Sequence, residues 1–163
     1  MRVYLGGPMF VRAEVRYNLW LAGELRVAGF DVYCPNESEP INDKTRTDIT
    51  GELIYRLDLA ALEQSNVYIC QVSEDSGTNW EAGYFDCLSK RVDPARYWGV
   101  LGLATDIRLA TLPNPDQPAI ENQACCVNQF VAGGLLSSLG VVYDEGALIE
   151  RLKEIATTHE GRG

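Results

Sequence analysis

With 163 residues, 46% of them hydrophobic, the chain holds enough apolar material for one compact domain spanning residues 1–163 and too little for two of ordinary stability. A formal charge of −9 would repel a phosphate backbone over most of the surface, which disfavours nucleic acid as a partner and favours a small neutral or weakly polar substrate. No apolar run approaches the length of a membrane span, and the N-terminus enters a strand-like pattern at once, so a cytosolic protein without a membrane partner is expected.

In chain order, residues 2–5 are short and β-prone and stop at Gly6-Gly7-Pro8, which predicts a buried strand ending in a turn. A helix follows over residues 11–28, with Val15, Leu19 and Ala22 at helical spacing and Gly29 placed to end it. Residues 30–34 form a second strand, closed by Pro35. The polar stretch 35–47 is longer than the usual connection in an α/β unit and is a candidate substrate-covering loop. Thr47 or Asp48 is placed to cap the next helix, in which Leu53, Leu57, Ala60 and Ala61 line one face and Asp58 lies on the flank.

Residues 66–72 read as a strand of the fully buried type, and the loop 73–78 leads into a helix beginning near Asn79. A fourth strand spans 97–103. Residues 109–118 are Pro-rich and irregular, 120–136 helical, 141–143 a short fifth strand and 147–157 a closing helix. Strands alternating with helices predict an α/β fold, a flavodoxin-like doubly wound five-stranded parallel sheet with helices on both faces and a ligand crevice at the carboxyl ends of the strands.

Several chemistries are disfavoured. The five cysteines (Cys34, Cys70, Cys87, Cys125 and Cys126) include no Cys-x-x-Cys pair, so neither a disulfide framework nor a zinc site is expected. The one histidine, His159, lies in a polar tail where fraying is usual, which speaks against a His-dependent triad or a multi-His metal site. No dinucleotide fingerprint and no Gly-rich phosphate loop with a lysine follows any strand, so no cofactor is expected.

The loops after the first and third strands carry the densest clusters of unusual residues, Gly6-Gly7-Pro8-Met9-Phe10 and Asp75-Ser-Gly-Thr-Asn-Trp-Glu81, and should face each other across the crevice. Glu81 is expected within the first turn or so of its helix, where free N–H groups and the macrodipole favour an ionised carboxylate suited to nucleophilic attack. Taken alone, these residues are better accounted for by ordinary turn chemistry and helix-start stabilisation than by catalysis.

A resemblance spanning roughly residues 1–135 adds the reaction. The segments 4–10, Asp58-Leu-Ala-Ala-Leu-Glu-Gln-Ser-Asn-Val67, Asp75-Ser-Gly-Thr-Asn-Trp-Glu-Ala-Gly-Tyr84 and Thr105-Asp-Ile-Arg108 resemble, in order and spacing, the nucleoside 2-deoxyribosyltransferase family. The resemblance implies Glu81 as the nucleophile, Asp58 as the acid assisting departure of the nucleobase, Tyr4 as orienter of the nucleophile, and Asp75 as a substrate-contacting carboxylate. Gly7, Phe10 and Gly77 of the two clusters are further candidate substrate contacts. The resemblance also implies a homo-oligomer in which an asparagine from a neighbouring subunit completes the sugar site. Asn122 and Asn128 are both on offer; Asn128 matches better, although Phe130 stands where a methionine is expected.

On this reading the partners are a deoxynucleoside and a free nucleobase, as in nucleotide salvage. Glu81 attacks C1′ to give a covalent 2-deoxyribosyl ester, Asp58 protonates the base, and a second base reverses the sequence with net retention. Phe10, Tyr17, Trp80 and Trp98 are candidate walls of the dry pocket that transfer requires. The rivals are a hydrolase of nucleosides or nucleoside 5′-monophosphates that uses the same glutamate, with Ser76, Thr78 and Arg108 as possible phosphate contacts, and a non-catalytic nucleotide-binding domain.

Overall fold

The computed structural model describes residues 1–43, 45–107 and 127–161. Five strands, β1 (Arg2–Gly6), β2 (Asp31–Tyr33), β3 (Val67–Gln71), β4 (Gly99–Leu103) and β5 (Val141–Val142), form one parallel sheet in the order β2-β1-β3-β4-β5. This is the expected doubly wound architecture. The order reverses direction at β1/β3, so the connections leaving these two strands pass to opposite sides and open a crevice at their carboxyl ends.

Side-chain alternation divides the core into two layers. Val3, Leu5, Val67, Ile69, Leu101 and Leu103 meet α1 (Arg12–Val27) and α6 (Glu145–Glu160) on one face. Tyr4, Tyr68, Cys70 and Val100 meet α3 (Gly51–Glu63), α4 (Ser76–Cys87) and α5 (Gln129–Leu136) on the other. β3 lies in the middle and is buried along its whole length, as a parallel strand covered on both faces must be.

The helices depart from the expected ones in informative places. α1 buries Asn18, Leu21, Ala22 and Leu25, while Leu19 is exposed. The helix is rotated from the expected Val15–Leu19–Ala22 stripe, and what its core face gains is an amide, Asn18, that finds buried partners. Gly29 ends the helix as expected, with a φ of 99° that a side chain would oppose. The connection after β2 is not irregular throughout: a 3-10 turn, Pro35–Glu37, leads into the short α2 (Glu39–Asn42). α3 is capped by Thr50, whose Oγ1 accepts from the Leu53 N–H at 3.1 Å, and not by Thr47 or Asp48. Asp48 is instead paired with Arg46. On α3, Ala61 and Leu62 are buried, Leu53 and Leu57 are half-buried and Ala60 is exposed, while Ile54, Tyr55, Asp58, Leu59 and Leu62 face a cavity.

β4 begins two residues later than expected, leaving Tyr97 to donate to the Glu63 carbonyl at 3.2 Å. His159 is not frayed; it sits in the last turn of α6 with its ring stacked on Trp98, centroids 4.5 Å apart. Of the helix expected over 120–136, the described part is α5. The segment 109–118, expected to be irregular, residues 120–126 with Asn122, Cys125 and Cys126, and Arg108 lie outside the described residues. Cys34, Cys70 and Cys87 are free thiols, the last of them exposed. Among the described residues no helix is long and apolar enough to cross a membrane.

Candidate active site

The crevice holds a cavity of about 370 Å³ beside the carboxyl ends of β1 and β3. Gly7 and Phe10 line it from the loop after β1, Asp58 from α3, and Asp75, Gly77 and Glu81 from the segment after β3. Six of the eight expected site residues are therefore gathered on one cavity, and a seventh, Tyr4, reaches it through Glu81.

The support behind the two carboxylates is built by strand register. Tyr33 on β2, Tyr4 on β1 and Tyr68 on β3 are direct neighbours across three strands, and their rings follow one another at 5.0 and 5.4 Å. Each hydroxyl ends on a carboxylate. Tyr4 donates to Glu81 Oε1 at 2.9 Å, Tyr68 to Glu81 Oε2 at 2.8 Å, and Tyr33 to Asp58 Oδ1 at 3.1 Å. Gly6 is required here, since a Cβ at that position would come within 1.9 Å of the Tyr68 hydroxyl.

Asp75 is the N-cap of α4: its Oδ2 accepts from the Thr78 N–H at 2.7 Å and from the Thr78 hydroxyl at 2.8 Å. The helix thus starts three residues before Asn79, and Glu81 lies in its second turn. The free N–H groups of the first turn therefore do not hold Glu81; the two tyrosines do. Burial pushes the Glu81 carboxyl up to about 7, an effect opposed by the hydroxyls of Tyr68 and Tyr4 and reinforced by the charges of Asp58 and Asp75. Asp58 is raised as well, by burial, while Tyr33 and Tyr4 hold it down. Two carboxyls beside one cavity, both made weaker acids by burial, can divide the work of nucleophile and proton donor.

A buried amide cluster fixes the surrounding turns. Asn18 donates to the Pro8 carbonyl at 3.0 Å and to Asn36 Oδ1 at 2.8 Å, and accepts from Gln71 Nε2 at 2.8 Å. A Cβ on Gly7 would fall 2.3 Å from the Gln71 amide, so this glycine lets the β1 loop close onto β3. Glu14 adds a second tie by accepting from the Phe10 and Val11 N–H groups.

Not every expected wall is found at the site. Phe10 and Trp80 stand at the mouth, 85% and 73% exposed. Tyr17 and Trp98 belong to the core on the opposite face of the sheet, where Tyr17 donates to Glu145 at 2.7 Å. Asn128 does not line the cavity of its own chain; its Oδ1 caps α5 by accepting from the Phe130 N–H at 2.9 Å. Tyr68 and Tyr33 were missed from sequence. The available signal was one tyrosine in each of three predicted strands. Among the described residues no group of three His, Cys, Asp or Glu side chains could hold a metal ion.

The family model of nucleoside 2-deoxyribosyltransferases matches residues 3–133. A conserved protein from Enterococcus faecalis V583 is similar in structure, at 26% identity and a TM-score of 0.72, with 94% of this chain and 97% of that one covered. A 2-deoxyribosyltransferase from Bacillus psychrosaccharolyticus shares the fold at 17% identity and a TM-score of 0.59, covering 91% of this chain and 90% of that one. No curated protein matches the chain.

Proposed function

The chain belongs to the nucleoside 2-deoxyribosyltransferase family, and we propose that it transfers 2-deoxyribose between nucleobases through a covalent ester on Glu81. The observation that carries this reading is the Glu81 carboxylate, gripped on both oxygens by Tyr4 and Tyr68 beside a cavity that Asp58 also lines.

With its carboxyl pushed up to about 7, Glu81 is substantially ionised at neutral pH. In the first half-reaction a bond forms between a Glu81 oxygen and C1′ as the C1′–N bond breaks, and the electron pair leaves with the base. Asp58, its acidity weakened by burial, supplies the proton that the departing nitrogen needs. In the second half-reaction the incoming base attacks C1′ and gives its proton to Asp58, and Glu81 departs as a carboxylate. Two inversions give net retention.

Asp75 lines the same cavity and would repel a 5′-phosphate, which favours a free deoxynucleoside as substrate. Gly7, Phe10 and Gly77 would pack against the sugar or base, and Asn128 would serve the site of a neighbouring subunit in a homo-oligomer. A single domain over residues 1–163, working in a reducing cytosol as part of nucleotide salvage, completes the reading.

One observation favours hydrolysis as a second reading. The mouth residues Phe10 and Trp80 are so exposed that water has access to C1′ unless a neighbouring chain covers them. Incubation with a deoxynucleoside plus a different free base separates the outcomes. A new nucleoside supports transfer, free deoxyribose alone supports hydrolysis, and turnover only of a deoxynucleoside monophosphate overturns the substrate assignment. Mass spectrometry of quenched enzyme should find 2-deoxyribose on the peptide carrying Glu81. A protein that binds nucleoside without turnover or adduct would be the non-catalytic alternative.

A further inference from the structure

Tyr68 holds more of the chemistry than its place in a buried strand suggests. Its hydroxyl lies 2.8 Å from Glu81 Oε2 and 3.0 Å from the Thr78 carbonyl oxygen, two acceptors for a single proton. The residue is fully buried, so water does not compete. Its ring is fixed between Tyr4, at 5.4 Å, and Phe85, at 6.0 Å, and Gly6 leaves the space its oxygen occupies. The oxygen is therefore stationary, and only rotation about the C–O bond is free.

We infer that Tyr68 is a positioning residue for Glu81 whose hydroxyl proton changes acceptor as the carboxylate changes charge, pointing to Glu81 Oε2 when it is an anion and to the Thr78 carbonyl when it is neutral. The inference rests on Glu81 as the nucleophile. When the ester forms, the negative charge on Glu81 disappears and its oxygens become poor acceptors. The Tyr68 proton then turns to Thr78, so neither state strands the buried hydroxyl. No proton leaves Tyr68, whose acidity is suppressed by burial and by the Glu81 charge, and the proton needed by the departing base still comes from Asp58.

The consequence for rate lies in the second half-reaction. A donor that stabilises the Glu81 anion makes it a better leaving group, so the return of Tyr68 to Oε2 assists release of deoxyribose to the incoming base. Gly6 carries the same function indirectly, by keeping the approach of Tyr68 open.

The other titratable groups facing Glu81 are Tyr4 from β1, Tyr33 from β2, Cys70 from β3, Asp58 from α3 and Asp75 at the start of α4. All of them remain in Tyr68→Phe, which keeps the ring contacts. The test is titration of substrate-free protein labelled with ¹³C at the glutamate carboxyls, with the Glu81 signal assigned by its absence in Glu81→Gln. Loss of a charge-assisted hydrogen bond should raise the Glu81 midpoint by about one pH unit or more in Tyr68→Phe. The acid limb of kcat/KM should move with it while KM stays within about twofold. An unmoved midpoint overturns the inference. Should Tyr68→Phe not fold, wild-type protein labelled at the tyrosine Cζ serves instead: the Tyr68 signal must titrate with the midpoint of Glu81, and a flat signal overturns the inference. Neither titration needs substrate, so a protein that transfers no deoxyribose defeats the proposed function without deciding this one.

Discussion

At the scale of single residues, Glu81 couples activity to stability, and the two effects have opposite signs. Its carboxyl is raised from an ordinary 4.5 to about 7, chiefly by burial, so between those values the folded state binds more protons than the unfolded state and stability falls as pH rises. The loss is complete above the folded value and amounts to about 3 kcal/mol as an upper figure. Glu81→Gln removes this component. Thermal unfolding should show the variant gaining on the wild type from pH 5 to pH 8, with little further gain above; a gap independent of pH would mean that the carboxyl is not raised in the folded protein. The same variant, like Glu81→Ala, should abolish turnover, and more than a few per cent of residual transfer would rule Glu81 out as nucleophile. Asp58→Asn removes the proton donor and keeps the shape, so cleavage should slow by about 10²-fold or more for bases that are poor leaving groups and much less for good ones. Rates measured across a series of bases check this, and equal slowing throughout would make Asp58 a structural partner of Tyr33 only.

At the scale of elements, Asp75 shows what a sequence pattern conceals. Asp-Ser-Gly-Thr reads as a turn, yet Ser76, Gly77 and Thr78 are the first residues of α4 and Asp75 is its cap. Propensity favours the turn because Ser, Gly and Thr are weak helix formers, and the bonds from Thr78 to Asp75 override it. The shift of three residues moved Glu81 from the first turn to the second and changed the physical account of its charge state. Asp75 also lines the cavity, so cap and charge can be separated by substitution. Asp75→Ala should cost about 1 kcal/mol in chemical denaturation by losing the cap, whereas Asp75→Asn, an equally good cap, should cost little. If the negative charge excludes a 5′-phosphate, Asp75→Asn should raise turnover of deoxynucleoside monophosphates relative to deoxynucleosides. An unchanged ratio would place the discrimination elsewhere. The buried faces of α1 and α3 differ from those the spacing predicts for a related reason: spacing identifies a helix but not its rotation, and the buried face of α1 includes Asn18 because Gln71, Pro8 and Asn36 supply it with partners.

At the scale of the whole molecule, alternation of strands and helices was enough to anticipate the parallel sheet and its crevice, since short connections and the handedness of crossovers leave few alternatives. The tyrosine row was not legible, because it depends on register between strands about 30 residues or more apart along the chain, and Tyr33, Tyr4 and Tyr68 become neighbours only through that pairing. The oligomer is the remaining question at this scale. Phe10 and Trp80 at the cavity mouth and Phe130 on α5 are each more than 70% exposed, large apolar side chains that a neighbouring chain would cover. Asn128, next to Phe130 on the rim of α5, is outside its own chain's cavity. If it completes the site of a neighbour, the chain should sediment as a homo-oligomer, and Phe130→Glu should shift it toward monomer with loss of activity. Complementation is the sharper test. Glu81→Ala and Asn128→Ala should each be impaired alone, whereas mixed and reassembled subunits should regain activity, because some interfaces then pair an intact Glu81 with an intact Asn128. Absence of rescue in verified hybrids would confine Asn128 to its structural cap and leave each chain with a self-contained site.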